Sequence, residues 1–260
     1  FWSLTLEGAG AGIRAYLTPD FAALKRPRVW GGAYAREPRD YLERDLYTRS
    51  TAMDAVLESL LQRLGGDPAV LQALELYSCF PCVPKMARRV LGWPLDKQIT
   101  VFGGLTFGGG PIGNYMSHAV ASMVERLREG GGRSLLFANG GYATPNHTIL
   151  LAGTPTGAAF PHYFNYQAEA DARRGAVPPL DRTYEGPATI ESYTVHYGRD
   201  GSPKSGVIVA LTPSGSRTLA GVAGDDAAMI AFLTDGMHEP VGSAGNVTRG
   251  DGDLSMWVRG

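Results

Sequence analysis

The chain has 260 residues, 44% of them hydrophobic, and its 24 lysines and arginines nearly balance 25 acidic residues for a formal charge of −1. That is enough apolar mass for one large core or two modest ones, which excludes a disordered chain. No basic tract with interleaved aromatics occurs, and no apolar run approaches the roughly 20 residues of a membrane span, so nucleic acid and membrane are not expected, and a small molecule or a protein partner is.

The cysteines, Cys79 and Cys82, stand too close together to staple distant elements, which argues against a secreted disulfide scaffold and for a cytoplasmic protein. The opening Phe1-Trp2-Ser3-Leu4 is no secretory signal. A start without methionine, running at once into Glu7-Gly8-Ala9-Gly10-Ala11-Gly12, reads as the remainder of a longer polypeptide.

In chain order, strands are expected at 12–17 and, as an extended segment, at 28–34. Met53, Val56, Leu57, Leu60, Leu61 and Leu64 recur at helical spacing over 50–64. Thr51 with Asp54 resembles a capping box, and Gly65-Gly66 supplies the stop. A short strand at 74–77 leads to a helix begun by Pro81, striped with Val83, Met86, Ala87, Val90 and Leu91, and closed by Gly92. A strand at 98–102 precedes the glycine-rich loop 103–111. The helix after it carries Met116, Ala119, Val120, Met123, Val124 and Leu127 and ends at Gly130-Gly131-Gly132. Strands at 133–138 and 147–151 follow.

Strands alternating with helices describe a layered α/β domain over 1–155, and such sheets bind ligands beyond their strand ends. The loops at 77–82, 103–114 and 138–147 are therefore expected to converge on one pocket. Proline and aromatics, among them Phe160, His162, Tyr163, Phe164 and Tyr166, mark a connector over 156–182. From 183 to 260 the pattern is β-rich: strands at 188–197 and 207–211 around the turn Arg199-Asp200-Gly201, another at 216–222, a helix at 226–233, and weaker strands at 240–247 and 253–258. A small five-stranded barrel and an open sheet both fit.

Cys79-Phe80-Pro81-Cys82, between a strand and a helix, is a pattern that can form a redox disulfide; the bland alternative puts Cys79 in a pocket wall and packs Cys82 in the first helical turn. The five glycines of 103–111 offer a helix N-terminus to a phosphate or carbonyl oxygen, or close packing against a neighbouring strand, but match neither the Walker nor the dinucleotide pattern. Asn114 and His118 share a helix face, and His147 opens a strand; a structural hydrogen-bonding role competes with catalysis for each histidine. No pair has metal-ligand spacing, and no cofactor is expected.

Three segments, 75–81, 103–118 and 138–142, resemble the C-terminal half of thiolases, most of all the acetyl-CoA acetyltransferase/SCP-x group, and the likeness covers about residues 5–152. Ile190-Glu191-Ser192-Tyr193-Thr194-Val195 resembles the additional C-terminal domain of type 1 thiolase-like proteins, which is OB-like in that family. The resemblance implies an acyl-CoA substrate in lipid or sterol metabolism, with coenzyme A present only as part of that substrate. It also implies an N-terminal thiolase half, carrying the nucleophilic cysteine, outside this chain.

Three departures accompany it. Tyr77 stands where thiolases have the asparagine of Asn-Glu-Ala-Phe, Gly110 where they have the histidine of Gly-His-Pro, and Ala138 where they have a cysteine. Glycine and alanine transfer no proton. The expected site is therefore a thiolase-type pocket with other contents. Cys79, His118, His147 and Tyr115 are the catalytic candidates, with a histidine as base and Cys79 or Tyr115 as acid; Tyr77, Asn114, Gly110, Asn139 and Tyr142 are expected to bind substrate. The alternatives are a retro-aldol lyase using Tyr77, Tyr115 and Tyr142, and a non-catalytic module that binds CoA esters and recruits a protein partner through its C-terminal domain.

Overall fold

Leu71–Tyr77 (β2) and Arg133–Asn139 (β3) lie parallel, with Leu71 opposite Arg133 and Tyr77 opposite Ala138. Parallel neighbours need a long crossover, and three helices lie between them: Cys82–Leu91 (α2), Leu105–Gly108 (α3) and Tyr115–Gly130 (α4). The computed structural model describes residues 27–77, 79–155, 164–250 and 254–260. Arg28–Arg36 (β1) and Pro145–Ala152 (β4) complete a four-stranded sheet in the order β1-β4-β3-β2, antiparallel except for the β2–β3 pair. The strand expected at 12–17 lies outside the described residues.

The helix Thr51–Arg63 (α1) buries Met53, Val56, Leu57 and Leu60 in one core with Ala33, Ala35, Leu74 and Leu150, and α2 adds Val83, Ala87 and Leu91. On the other face α4 buries Met116, Ala119, Met123 and Leu127 against Ala73, Leu136 and Leu151. Strand alternation divides the sheet between these two cores. The α1 cap differs from the expected box. Ser50 is the N-cap, accepting the Met53 amide, while Asp54 receives Arg49 Nε at 2.7 Å. The buried Glu37 carboxylate supplies the missing acid, taking the Ser50 hydroxyl at 2.7 Å and the Ala52 amide at 2.8 Å, where the helix dipole favours negative charge.

The strand expected at 98–102 does not form. Of this segment, Ile99 accepts the Leu76 amide, but the amides of Val101 and Phe102 go to the side chain of Glu75 rather than to a strand.

Contacts divide the chain into two units, and the division departs from the expected linear boundaries. The first unit continues through Gly175, because the helix Gln167–Arg173 (α5) belongs to it: Gln167 exchanges hydrogen bonds of 2.9 Å with both backbone groups of Arg36, and Arg173 pairs with Glu58 at 2.7 Å. The second comprises 176–260 together with Asp40–Tyr47.

That second unit contains a closed barrel, which decides between the two expected forms. Gly186–Tyr197 (β5), Pro203–Leu211 (β6), Arg217–Ala223 (β7), Ala244–Arg249 (β8) and Ser255–Arg259 (β9) run in the order β5-β6-β7-β9-β8, with β7 and β9 parallel and β8 closing on β5. A helix at Ala227–Thr234 (α6), capped by Asp226, contributes Ile230 and Phe232 to a core with Ile190, Ile208, Val222 and Trp257.

Arg217, at the start of β7, is 0% exposed. Its guanidinium is bidentate to Glu191, at 2.7 and 2.6 Å, and donates to the carbonyls of Leu42, Arg44 and Asp45 while lying over the Tyr47 ring. One buried cation thus ties 40–47 to the barrel. Removing one member of a buried pair leaves the other uncompensated, so Arg217→Ala should lower the stability of this unit by about 3–5 kcal/mol in urea unfolding. An Arg217→Met, Glu191→Met double variant, which removes both charges, should recover part of that loss.

Candidate functional site

Glu75 is a carboxylate set into an apolar strand, Leu74-Glu75-Leu76-Tyr77, and it is 0% exposed. A buried charge persists only when its lone pairs are filled. Here Thr100 Oγ1 reaches both oxygens, at 2.8 and 2.9 Å, the Val101 and Phe102 amides donate to Oε2 at 2.8 and 2.9 Å, and the Tyr115 hydroxyl donates to Oε1 at 2.7 Å. The strand end, the 100–102 segment and the first residue of α4 are held by this one group.

Aromatic rings grow outward from that anchor. Tyr77 meets Tyr115 with ring centroids 4.5 Å apart, Phe102 meets Tyr115 edge-on at 5.2 Å, and the His118 ring stacks on Phe102 at 5.6 Å and 8°. His118 is exposed, and its Nε2 lies 3.2 Å from Asn114 Nδ2, as their four-residue spacing on one helix face requires. Two glycines let the loop lie close: a Cβ on Gly108 would fall 2.6 Å from Phe102 and 3.0 Å from Tyr115, and Gly103 has φ 103°.

The sheet register extends the site. Tyr77 stands opposite Ala138, Ala138 opposite His147, and His147 opposite Tyr34. Directly paired residues share a face, so these four form one row across all four strands on the α4 side. His147 and Tyr34 rings lie 4.7 Å apart.

Burial governs the proton chemistry. It pushes the Tyr115 phenol far above its usual pKa, and Glu75, which holds the phenolic proton, pushes it further. Burial also raises Tyr77, with a smaller contribution from Cys79, and lowers His147, which favours the neutral imidazole. The role of acid expected for Tyr115 conflicts with this geometry, because its proton is already committed to a buried carboxylate.

The structure brings together Tyr77, Tyr115, Asn114 and His118, puts His147 on the same sheet face two strands from Tyr77, and separates others. Tyr142 packs against the core beneath α1 and α2, its ring edge-on to Phe80 at 5.5 Å. Alternation sends Asn139 to that same side, buried, where its Nδ2 donates to the Gly141 carbonyl at 2.8 Å. Gly110 is exposed, with open space where a Cβ would be. Cys79 and Cys82 are both exposed, so Cys82 is not packed in the first turn of its helix. The expected single convergence of three loops is therefore divided between the two faces of the sheet.

Glu75, Phe102 and Tyr34 were not singled out from the sequence. A charge at an alternating position of an otherwise apolar strand marks Glu75; Phe102 and Tyr34 depend on register and carry no such sign. Among the described residues no group of three or more His, Cys, Asp or Glu could hold a metal ion, and no helix is long and apolar enough to cross a membrane.

Comparison with known proteins matches this architecture. Residues 167–253 match the thiolase-like protein type 1 additional C-terminal domain. A monomeric SCP2-thiolase like protein type 1 from Mycobacterium smegmatis superposes with a TM-score of 0.76 at 29% identity, covering 90% of this chain and 51% of that one. Human mitochondrial 3-ketoacyl-CoA thiolase matches at 19% identity and a TM-score of 0.39, over 56% of this chain and 33% of its own. No curated protein matches the sequence. A layered α/β unit joined in sequence to a small closed barrel, as in the mycobacterial thiolase-like structure, defines the class of fold. Residues 167–253 are similar to the additional C-terminal domain of the type 1 group, and the chain as a whole is similar in fold to a thiolase-like protein of that group. It spans about half the length of the mycobacterial structure.

Two outcomes follow from the site. Glu75→Gln places amide hydrogens against donors, and should cost about 1.5–3 kcal/mol, the range for hydrogen bonds to a charged group, in urea unfolding followed by circular dichroism. For His147, whose folded pKa lies below its ordinary 6.5, the unfolded chain binds the proton first. Its contribution is complete above pH 6.5 and falls as the pH drops from there to the folded pKa, by at most about 1.4 kcal/mol per unit. His147→Asn should flatten that part of the stability profile between pH 7 and 5.

Proposed function

We propose that the chain is the acyl-CoA-binding C-terminal half of a thiolase-like protein of lipid metabolism, and that it holds a CoA ester without performing thiolysis on its own residues. The observation that carries this reading is the state of the groups around Glu75. The carboxylate accepts from Thr100, Val101, Phe102 and Tyr115, so neither it nor the Tyr115 phenol is free to exchange a proton with a substrate. Gly110 and Ala138 occupy the positions that the family resemblance gives to a histidine and a cysteine. The imidazoles left in the site are His147, half-buried in the sheet row and favoured in its neutral form by burial, and His118, exposed on α4.

On this reading Tyr77, Asn114 and His118 contact the ester, an N-terminal half outside this chain completes the site, and the protein works in the cytoplasm. The strand order β5-β6-β7-β9-β8, with β7 and β9 parallel and α6 between β7 and β8, supports an OB-type barrel. Its proposed role is to recruit a protein partner. The lyase reading has less support: of its three tyrosines, Tyr115 is committed to Glu75 and Tyr142 faces the other core.

Calorimetry with coenzyme A and acetyl-CoA should show binding, while a 3-oxoacyl-CoA is not thiolysed by added coenzyme A. Tyr77→Ala should weaken the affinity about tenfold, the worth of one well-placed ring. Absence of binding to every CoA ester would overturn the proposal. Turnover that disappears in a His118→Ala, His147→Ala variant would replace it with an enzyme, and cleavage of a 3-hydroxyacyl-CoA would make that enzyme a lyase.

A further inference from the structure

The Cys79-Phe80-Pro81-Cys82 segment begins two residues beyond Tyr77, and its thiols have no role in the function proposed above. Both thiols are free and exposed, an uncommon setting for cysteine, which is among the most often buried residues. The backbone bends at Cys79 and Phe80 and turns at Pro81, and the Val83 amide returns to the Phe80 carbonyl at 3.0 Å. Pro81 is already helical, with φ −59° and ψ −24°, as the N-cap of α2, and no side chain caps that end. Cys79 stands just before the turn Phe80–Val83 and Cys82 within it, three positions apart in a bent segment, and a disulfide between them needs a Cα separation of about 4.4–6.8 Å.

Cys82 is the first residue of α2, at the end of the helix where backbone amides lack intrahelical partners. Within Cys82–Leu91 the charged residues are Lys85, Arg88 and Arg89, with no acid among them. Phe80, between the two sulfurs in sequence, is anchored edge-on to Tyr142, which limits the freedom the segment must lose when a ring closes.

We propose that Cys79 and Cys82 are a thiol-oxidation site that closes reversibly to an intramolecular disulfide on reaction with a low-molecular-weight disulfide such as oxidised glutathione. One cysteine, as thiolate, attacks a sulfur of the oxidant, forming a mixed disulfide and expelling one thiolate. The second cysteine loses its proton and attacks the protein-bound sulfur, expelling the other. Two protein thiols are oxidised, and one small disulfide is reduced to two thiols. The ring would stiffen the turn joining β2 to α2, immediately beyond Tyr77.

The test needs no acyl-CoA, so its outcome is independent of the proposed function. The chain is equilibrated in glutathione buffers of graded ratio, quenched with acid, alkylated with N-ethylmaleimide and weighed intact. The expected result is a reversible change from a doubly alkylated form to one with no adduct and two hydrogens fewer, restored by dithiothreitol. This ring should be favoured at least about tenfold over the same pair in urea, because the Phe80–Tyr142 contact and the start of α2 already restrict the segment that must close. Cys79→Ser and Cys82→Ser should each lose the adduct-free form. The proposal is overturned if both wild-type thiols stay alkylatable, if they end as glutathione adducts or links between chains, or if folding gives no advantage over urea.

Discussion

A carboxylate that is fully out of water must be surrounded by donors, and Glu75 meets that demand by recruiting them from two other parts of the chain. Thr100, the Val101 and Phe102 amides and the Tyr115 hydroxyl come from a loop and a helix start that are remote in sequence from β2. The desolvation cost of an unsatisfied carboxylate would be several kcal/mol, so these donors cannot drift independently. The same demand explains why 98–102 is not a strand: amides that would pair with a neighbouring backbone serve a side chain instead. It also sets where the Tyr77, Tyr115, Phe102 and His118 rings stack.

The sheet distributes the other polar groups by parity. Tyr77, Ala138, His147 and Tyr34 fall on the α4 side because each stands opposite the next. Their immediate neighbours Asn139 and Asn146 face the other core, as does Tyr142 in the following hairpin. A pleated strand offers one residue in two to each face, so three loops at one end of a sheet need not deliver all their side chains to one place.

The second unit repeats the logic of the first with the sign reversed. Arg217 is a buried cation, and the Glu191 carboxylate and three carbonyls of the 40–47 segment satisfy it. In each unit a single buried charge draws a remote stretch of chain into place. Glu37, taking the Ser50 hydroxyl and the Ala52 amide at the start of α1, is a third and more local case.

The sequence by itself determined the elements that depend on nearby residues. Helical spacing placed α1, α2 and α4 to within a few residues, glycines marked their ends, and alternation with turn chemistry located the barrel strands, because these signals act over one or two turns of chain. The family likeness was also legible, in the short segments around Glu75, Gly103 and Ala138. Tertiary structure alone decided the register that lines up His147 with Tyr34 and Tyr77, the division of Tyr142 from Tyr115, the closure of the barrel, and the attachment of 40–47 to it. Each of these is set by what a group meets across the fold. A buried charge or a cross-strand partner is chosen from the whole chain, and no local pattern records which residue will be there.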